Sequence, residues 1–201
     1  MIKQILFDCG GVLTEMKFKH KMLEISGSEA VADYFIQNIW GEKSPWHKYD
    51  KGEIGTKEVL KQLKEYMPKE HHEFLEKFVE NWLDALPPNE KMPPIVKEIK
   101  AKGLGCFLLS NFPETFEEMP KRVSVLNEFD GLLPSYKVHL LKPDPEFYLC
   151  AAKTFGINPS ETLFVDDVLK NVEGAKAVGM QGYLFTSAEE FYEFLKQNKI
   201  I

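Results

Sequence analysis

Four runs of the chain are apolar at consecutive rather than alternate positions: IKQILF at 2–7, GLGCFLLS at 103–110, ETLFVD at 161–166 and QGYLF at 181–185. A strand covered on both faces needs apolar side chains pointing both ways, so this pattern predicts parallel strands flanked by helices. The segments between them carry helical periodicity with readable ends. Pro93 and Pro94 open a helix that stops at Gly103. Asp144, Pro145 and Gly156 supply the N-cap, first turn and stop of DPEFYLCAAKTFG, and a third helix runs from about Val168 to Val178 before Gly179. Strand and helix thus alternate through the second half, which predicts an α/β fold with a right-handed, doubly wound parallel sheet. Functional residues should gather at the carboxyl ends of its strands.

Residues 15–86 read differently. HKMLEISGSEAVADYFIQNIW, TKEVLKQLKEYM and EHHEFLEKFVENWL are amphipathic at helical spacing, and no strand pattern interrupts them. A helical lobe inserted after the first strand accounts for this. LPPNEKMPP at 86–94, with four prolines in nine residues, resists helix and marks the return. The expected organisation is therefore a core from 1–14 and 87–201 with a helical insertion over 15–86. A length of 201 residues suits one such core and is short for two full domains.

Composition narrows the function. The chain is 44% hydrophobic, 12% aromatic and 28% charged, a globular balance, with a formal net charge of −6. Arg122 is the single arginine among 25 basic residues, which argues against a nucleic-acid surface and for small-molecule chemistry. Three irregularly spaced cysteines, no signal-peptide pattern and no apolar span of membrane length make a reducing cytoplasm the expected setting, with no membrane partner.

Candidate chemistry sits at the predicted strand ends. Asp8 ends the first apolar run and is followed by Gly10 and Gly11, so it is a nucleophile, a metal ligand or a turn residue. Asp166 and Asp167 follow TLFV; adjacent carboxylates repel unless a cation separates them, and hard Mg²⁺ takes one or two carboxylates together with water and phosphate oxygens. Ser110 and Asn111 end CFLLSN, where a hydroxyl and backbone amides can hold a phosphate oxygen. Lys142, in HLLKPDPEFY, can bring an ammonium to the same edge. The four features in this order are far more specific than any one of them.

With DCGGV, LLSN, LLKPDPEFY and FVDDVLKNVEGAKAVGM in place from Asp8 to Met180, the sequence resembles the haloacid dehalogenase superfamily. The likeness is to its phosphatase-rich branch with a helical cap after the first motif; YDKGEIGTKEV at 49–59 also resembles that branch's cap. The resemblance implies a Rossmann-like core, Asp8 as nucleophile, and Mg²⁺ held by Asp8, the Gly10 carbonyl and Asp167 with Asp166 close by. It further implies that Ser110 and Asn111 hold phosphate, that Lys142 steadies the nucleophile, and that Asn171 stands where a supporting acid would. The substrate would be a small phosphomonoester, such as a sugar phosphate. Dehalogenase, phosphosugar mutase and binding-only protein are the alternatives.

Gly10 departs from the family's phosphatases, which usually carry a second Asp there as general acid and base, a function worth about 10²–10⁴ in rate. A sugar-1-phosphate phosphatase branch shares the glycine. Either the leaving group is a weak base, such as an anomeric oxygen, or another residue supplies the proton, with Glu15 and the cap residue His47 the first candidates. A cysteine phosphatase is excluded because the loop after Cys9 would need arginine where Glu15 stands. Cys106 and Cys150 are expected in the core and His71 and His72 on a solvated helix, while Trp40, Trp46, His47 and Tyr49, near Gly41 and Gly52, are divided between lining a pocket and packing the cap.

Overall fold

The computed structural model describes residues 1–41 and 43–201. The chain forms β1 (Gln4–Phe7), then helices α1 (Phe18–Ser26), α2 (Glu29–Ile39), α3 (Trp46–Asp50), α4 (Thr56–Tyr66) and α5 (His72–Asn81), and a 3₁₀ turn at Trp82–Ala85. Beyond the prolines follow α6 (Met92–Ala101), β2 (Gly105–Ser110), the short α7 (Met119–Arg122), β3 (Gly131–Pro134) and α8 (Pro145–Phe155). The chain ends with β4 (Thr162–Asp166), α9 (Leu169–Ala177), β5 (Gln181–Leu184) and α10 (Ala188–Gln197). The strands form one parallel sheet in the order β3-β2-β1-β4-β5, the doubly wound, Rossmann-like α/β arrangement.

The register places the chemistry. Phe7 of β1 lies beside Leu108 of β2 and Val165 of β4, so one step further Asp8 and Asp166 emerge side by side, with Ser110 closing β2 next to them. Successive β1 side chains point to opposite faces. Ile5 and Phe7 enter a core that continues through Val12 and Leu13 into Phe35, Leu75 and Phe78 of the helical insertion; Leu6 enters a second core with Phe147, Tyr148 and Phe164.

Several expectations need revising. The strand β3 carries no recognisable apolar run, because its four residues are bounded by Asp130 and end in Pro134; its position is fixed by neighbours, with the Asp130 carboxylate accepting from the Cys106 N–H at 2.8 Å and pairing with Lys100. The edge strand β5 leaves Gln181 and Leu184 exposed rather than covered. The single helical pattern near residues 20–40 breaks at Gly27, where Ser28 caps α2 by accepting from the Val31 N–H. His71 and His72 are half-buried: the His71 ring packs on Tyr34 and Phe35, and His72 Nε2 bonds the Met67 carbonyl. Cys106 is core, but Cys150 is only partly buried. Among the described residues, no helix is long and apolar enough to cross a membrane.

The end of α3 is clamped to the sheet edge. The Ser135 hydroxyl donates to the Asp50 carbonyl and His139 Nδ1 bonds the Lys51 carbonyl at 2.9 Å. Gly52 has φ +71°, and a Cβ there would stand 2.7 Å from the Tyr136 carbonyl oxygen. Gly52→Ala should therefore cost about 1–2 kcal/mol from the left-handed backbone alone, plus the clash. Thermal unfolding is expected to drop by at least about 2–4 °C, with protease cleavage rising between α3 and α4.

Candidate active site

The carboxyl edge of the sheet brings together every strand-end residue singled out from the sequence. Asp8 Oδ1 accepts from the Cys9 N–H at 2.6 Å and from the Ser110 hydroxyl at 2.8 Å, and pairs with Lys142 Nζ at 2.8 Å. The same ammonium donates to Asp166 Oδ2 at 2.7 Å. Asp166 is fully buried and its oxygens are heavily committed: Oδ1 accepts from the Val168 N–H, and the Asn171 amide donates to both oxygens at 3.1 Å. Asn171 is fixed in turn by α9, whose Asn171 carbonyl accepts from the Tyr148 hydroxyl at 2.8 Å. Asp167 is the less committed acid of the pair.

The Asn111 side chain has a part that the sequence did not disclose. Its Nδ2 donates to the Lys142 carbonyl at 3.0 Å and its Oδ1 accepts from the Lys142 N–H at 2.8 Å. The amide is thus a brace that orients the lysine backbone, and Ser110 is the side chain of that pair turned to Asp8. The Lys142–Pro143 peptide is cis.

Burial raises the Asp8 carboxyl above its ordinary value; Lys142 pulls it down and Asp166 pushes it further up. Asp167 is raised by burial and by Asp166. Burial works against the Lys142 ammonium, but Asp8 and Asp166 outweigh it and hold it protonated. Burial and the neighbouring Asp8 push the Cys9 thiol up, so it is no thiolate nucleophile. Three carboxylates facing one ammonium leave an excess of negative charge, and oxygens of Asp8, Asp166 and Asp167 lie within 4.8 Å of one another. This all-oxygen donor set suits a hard divalent cation. Gly11 belongs to the same cradle: at φ +71°, a Cβ there would sit 2.2 Å from Asp167 Oδ2.

A cavity of about 570 Å³ opens above these groups. Its far wall is apolar, built from Phe18, Ile36, Trp40, Trp46, Trp82 and Phe112, while Gly10 and Asp8 lie at its floor. Trp46 meets Trp82 edge to face at 5.4 Å and lies against Trp40 at 5.5 Å with the rings tilted by 57°. Trp40 and Trp46 thus line the cavity, whereas Tyr49 is buried with its hydroxyl on Thr56 and His47 is exposed with Nδ1 on the Ser44 carbonyl. Glu15 pairs with Lys17 at the surface and is not on the wall either. The wall does carry Asp50, which sequence reasoning missed because a lone acid in YDKG has no distinguishing pattern.

Comparison with known proteins agrees with this geometry. Residues 2–179 match the family model described as haloacid dehalogenase-like hydrolase. The chain belongs to that family. It is 30% identical over 144 residues to a sesquiterpene phosphatase of Aspergillus oryzae, covering 71% of this chain and 73% of that one. It is 29% identical to a D-ribitol-5-phosphate phosphatase of Bacteroides thetaiotaomicron over 91% of each. A haloacid dehalogenase-family enzyme of Bacteroides thetaiotaomicron, solved with magnesium and inorganic phosphate, shares the fold with a TM-score of 0.69 at 24% identity, over 92% of this chain and 95% of that one.

Replacing Lys142 by Met should test the charge balance of this family member directly. Without the ammonium, Asp8 and Asp166 are buried and uncompensated, a loss of about 3–5 kcal/mol at neutral pH. The Asp8 carboxyl, already raised by burial, would lose the ammonium that pulls it down and rise further above its unfolded value, so the penalty applies above the unfolded carboxylate pKa and fades as the pH falls and Asp8 takes up its proton. Urea unfolding of Lys142→Met is expected to show a deficit against the wild type that shrinks from pH 7.5 to pH 5.

Proposed function

We propose that the chain is a Mg²⁺-dependent phosphatase of a small phosphomonoester, working through an aspartyl-phosphate on Asp8. The observation that carries this reading is the convergence of Asp8, Ser110, Lys142 and Asp167 on one cavity, with Asp166 buried behind them on Lys142. Asp8, the Gly10 carbonyl and Asp167 would hold the cation, with Asp166 behind them anchoring Lys142. Bound there, Mg²⁺ would offset the charge of the phosphoryl oxygens and of the attacking carboxylate.

The chain's own groups do the remaining work. The Ser110 hydroxyl and the Cys9 N–H fix Asp8 Oδ1, leaving Asp8 Oδ2 to attack phosphorus in line with the departing oxygen. Ionised, that carboxylate needs no base to become a nucleophile. Lys142, charged and braced by Asn111, draws negative charge away from the phosphoryl group as it is transferred. The helical insertion would act as the cap that keeps bulk water from the phosphoryl group.

The cavity wall bears on the substrate. A sugar phosphate needs hydrogen-bond partners for its hydroxyls, whereas Phe18, Ile36 and Phe112 offer none, and the Trp46 indole is already bonded to Asp50. These features favour a phosphate ester with an apolar body, the kind of substrate named for the sesquiterpene phosphatase; the D-ribitol-5-phosphate phosphatase supports the polyol or sugar alternative.

The test is a phosphomonoester panel of prenyl, aryl, alkyl and sugar phosphates, with Mg²⁺ and with EDTA. Phosphate release is expected only with Mg²⁺ and fastest for apolar bodies; sugar phosphates in front would reverse the substrate choice, and EDTA-insensitive turnover of a 2-haloacid would assign a dehalogenase instead. Asp8→Asn should fall below about one per cent of wild-type turnover while melting normally, since the amide is a poor nucleophile. Asp167→Ala should raise the Mg²⁺ concentration for half-maximal activity far more than Lys142→Ala; equal shifts would refute the division between cation ligand and charge partner.

A further inference from the structure

An ester whose oxygen is bound to an ordinary alcohol carbon leaves as a strong base, and it needs a proton as the bond to phosphorus breaks. Position 10 is glycine, and a side chain there would press on Met16 Sδ, 3.3 Å from where its Cβ would stand. The charged groups on the cavity wall are Asp8, Lys19, Asp50, Lys142 and Asp167. Asp8, Lys142 and Asp167 are occupied with the phosphoryl group and its cation. Lys19 is tied at 2.6 Å to Asp33 and also pairs with Glu29 at the surface.

Asp50 remains. It closes α3 one helical turn after Trp46, whose side chain hydrogen-bonds its carboxyl. Among the described residues it makes no ion pair, and its backbone is held against the sheet edge by Ser135, with Lys51 and Gly52 docked beside it on His139 and Tyr136. The carboxyl is therefore set at a fixed place in the insertion, in a cavity it shares with Asp8.

We propose that Asp50 is the general acid and base of this site, supplied by the insertion in place of the missing side chain at position 10. The proposal rests on the phosphatase reading above. As the bond from Asp8 to phosphorus forms, the ester P–O bond breaks; its electron pair goes to the departing oxygen, which takes the Asp50 proton and leaves as the alcohol. Water then forms a bond to phosphorus and gives a proton to the Asp50 carboxylate, while the Asp8–phosphorus bond breaks and returns its electron pair to Asp8. The products are alcohol and inorganic phosphate, and both carboxyls regain their starting state. Burial holds the Asp50 carboxyl well above the ordinary carboxylate range; the Trp46 hydrogen bond lowers it and Asp8 raises it.

Single-turnover release of alcohol by the Mg²⁺-loaded full chain decides the matter, with phenethyl phosphate as the poor leaving group and p-nitrophenyl phosphate as the good one. Asp50→Asn is expected to slow phenethyl alcohol release by about 10²–10⁴ but nitrophenol release by no more than about tenfold, with phosphorylated Asp8 accumulating on p-nitrophenyl phosphate. Equal slowing of both, or of neither, overturns the proton donor while leaving the phosphatase reading intact; a wild type that releases alcohol from neither overturns both. If Asp50→Asn melts early, the wild type alone gives the answer over a graded series of aryl phosphates. A shallow dependence on leaving-group basicity supports the assignment and a steep one overturns it.

Discussion

A single buried ammonium joins the two strands on which the site depends. Lys142 reaches Asp8 beyond β1 and Asp166 at the end of β4 with bonds of 2.8 and 2.7 Å, and it arrives from neither strand but from the loop before α8. Removing two carboxylates from water is costly unless each finds a cation or donors. Here one lysine serves both, with Ser110 and the Cys9 N–H adding donors to Asp8 Oδ1, and Asn171 and the Val168 N–H adding donors to Asp166. The sheet order serves the same meeting, because β1 between β2 and β4 brings the Ser110 hydroxyl, the Asp8 carboxylate and the Asp166 carboxylate to one edge.

Much of this was legible in the sequence, and for a common reason. Asp8, Ser110, Lys142, Asp166 and Asp167 each follow an apolar run or precede a well-capped helix, so local patterning marks their place, and a parallel sheet brings its strand ends together. β3 was not legible: four residues ending in proline carry no periodicity, and Asp130 secures them only through a tertiary bond to β2. The bracing role of Asn111 was hidden for a similar reason, since its partner lies 31 residues away in the chain. The cap wall was half legible. Trp40, Trp46, His47 and Tyr49 are close in sequence, but α3 is so short that the direction each side chain takes depends on how it docks against Ser135 and Tyr136.

Glycine at position 10 and an acid at position 50 illustrate how a site can distribute its parts. Asp8, Ser110 and Asp166 stand at the strand ends of the sheet and Lys142 in the loop before α8, all held by hydrogen bonds to one another. Most of the aromatic wall and Asp50 belong to the insertion, whose placement depends on contacts around Gly52 and the aromatic cluster about Trp46. Substitutions in the insertion can therefore alter which ester is accepted without disturbing the charge balance beneath.

The shared core has a further consequence for traffic through the cavity. The insertion and one face of the sheet bury their apolar side chains in one continuous cluster, from Ile5 and Phe7 to Phe35 and Leu75. Swinging the whole insertion aside would wet that cluster, at roughly 25 cal/mol for each Å² uncovered. Met16, Trp40 and Val168 are the exposed apolar members of the cavity wall, and turning their side chains wets little. The cheaper doorway is a rim of rotating side chains, so the size of molecule that can come and go is limited by the width of that rim rather than by the volume behind it.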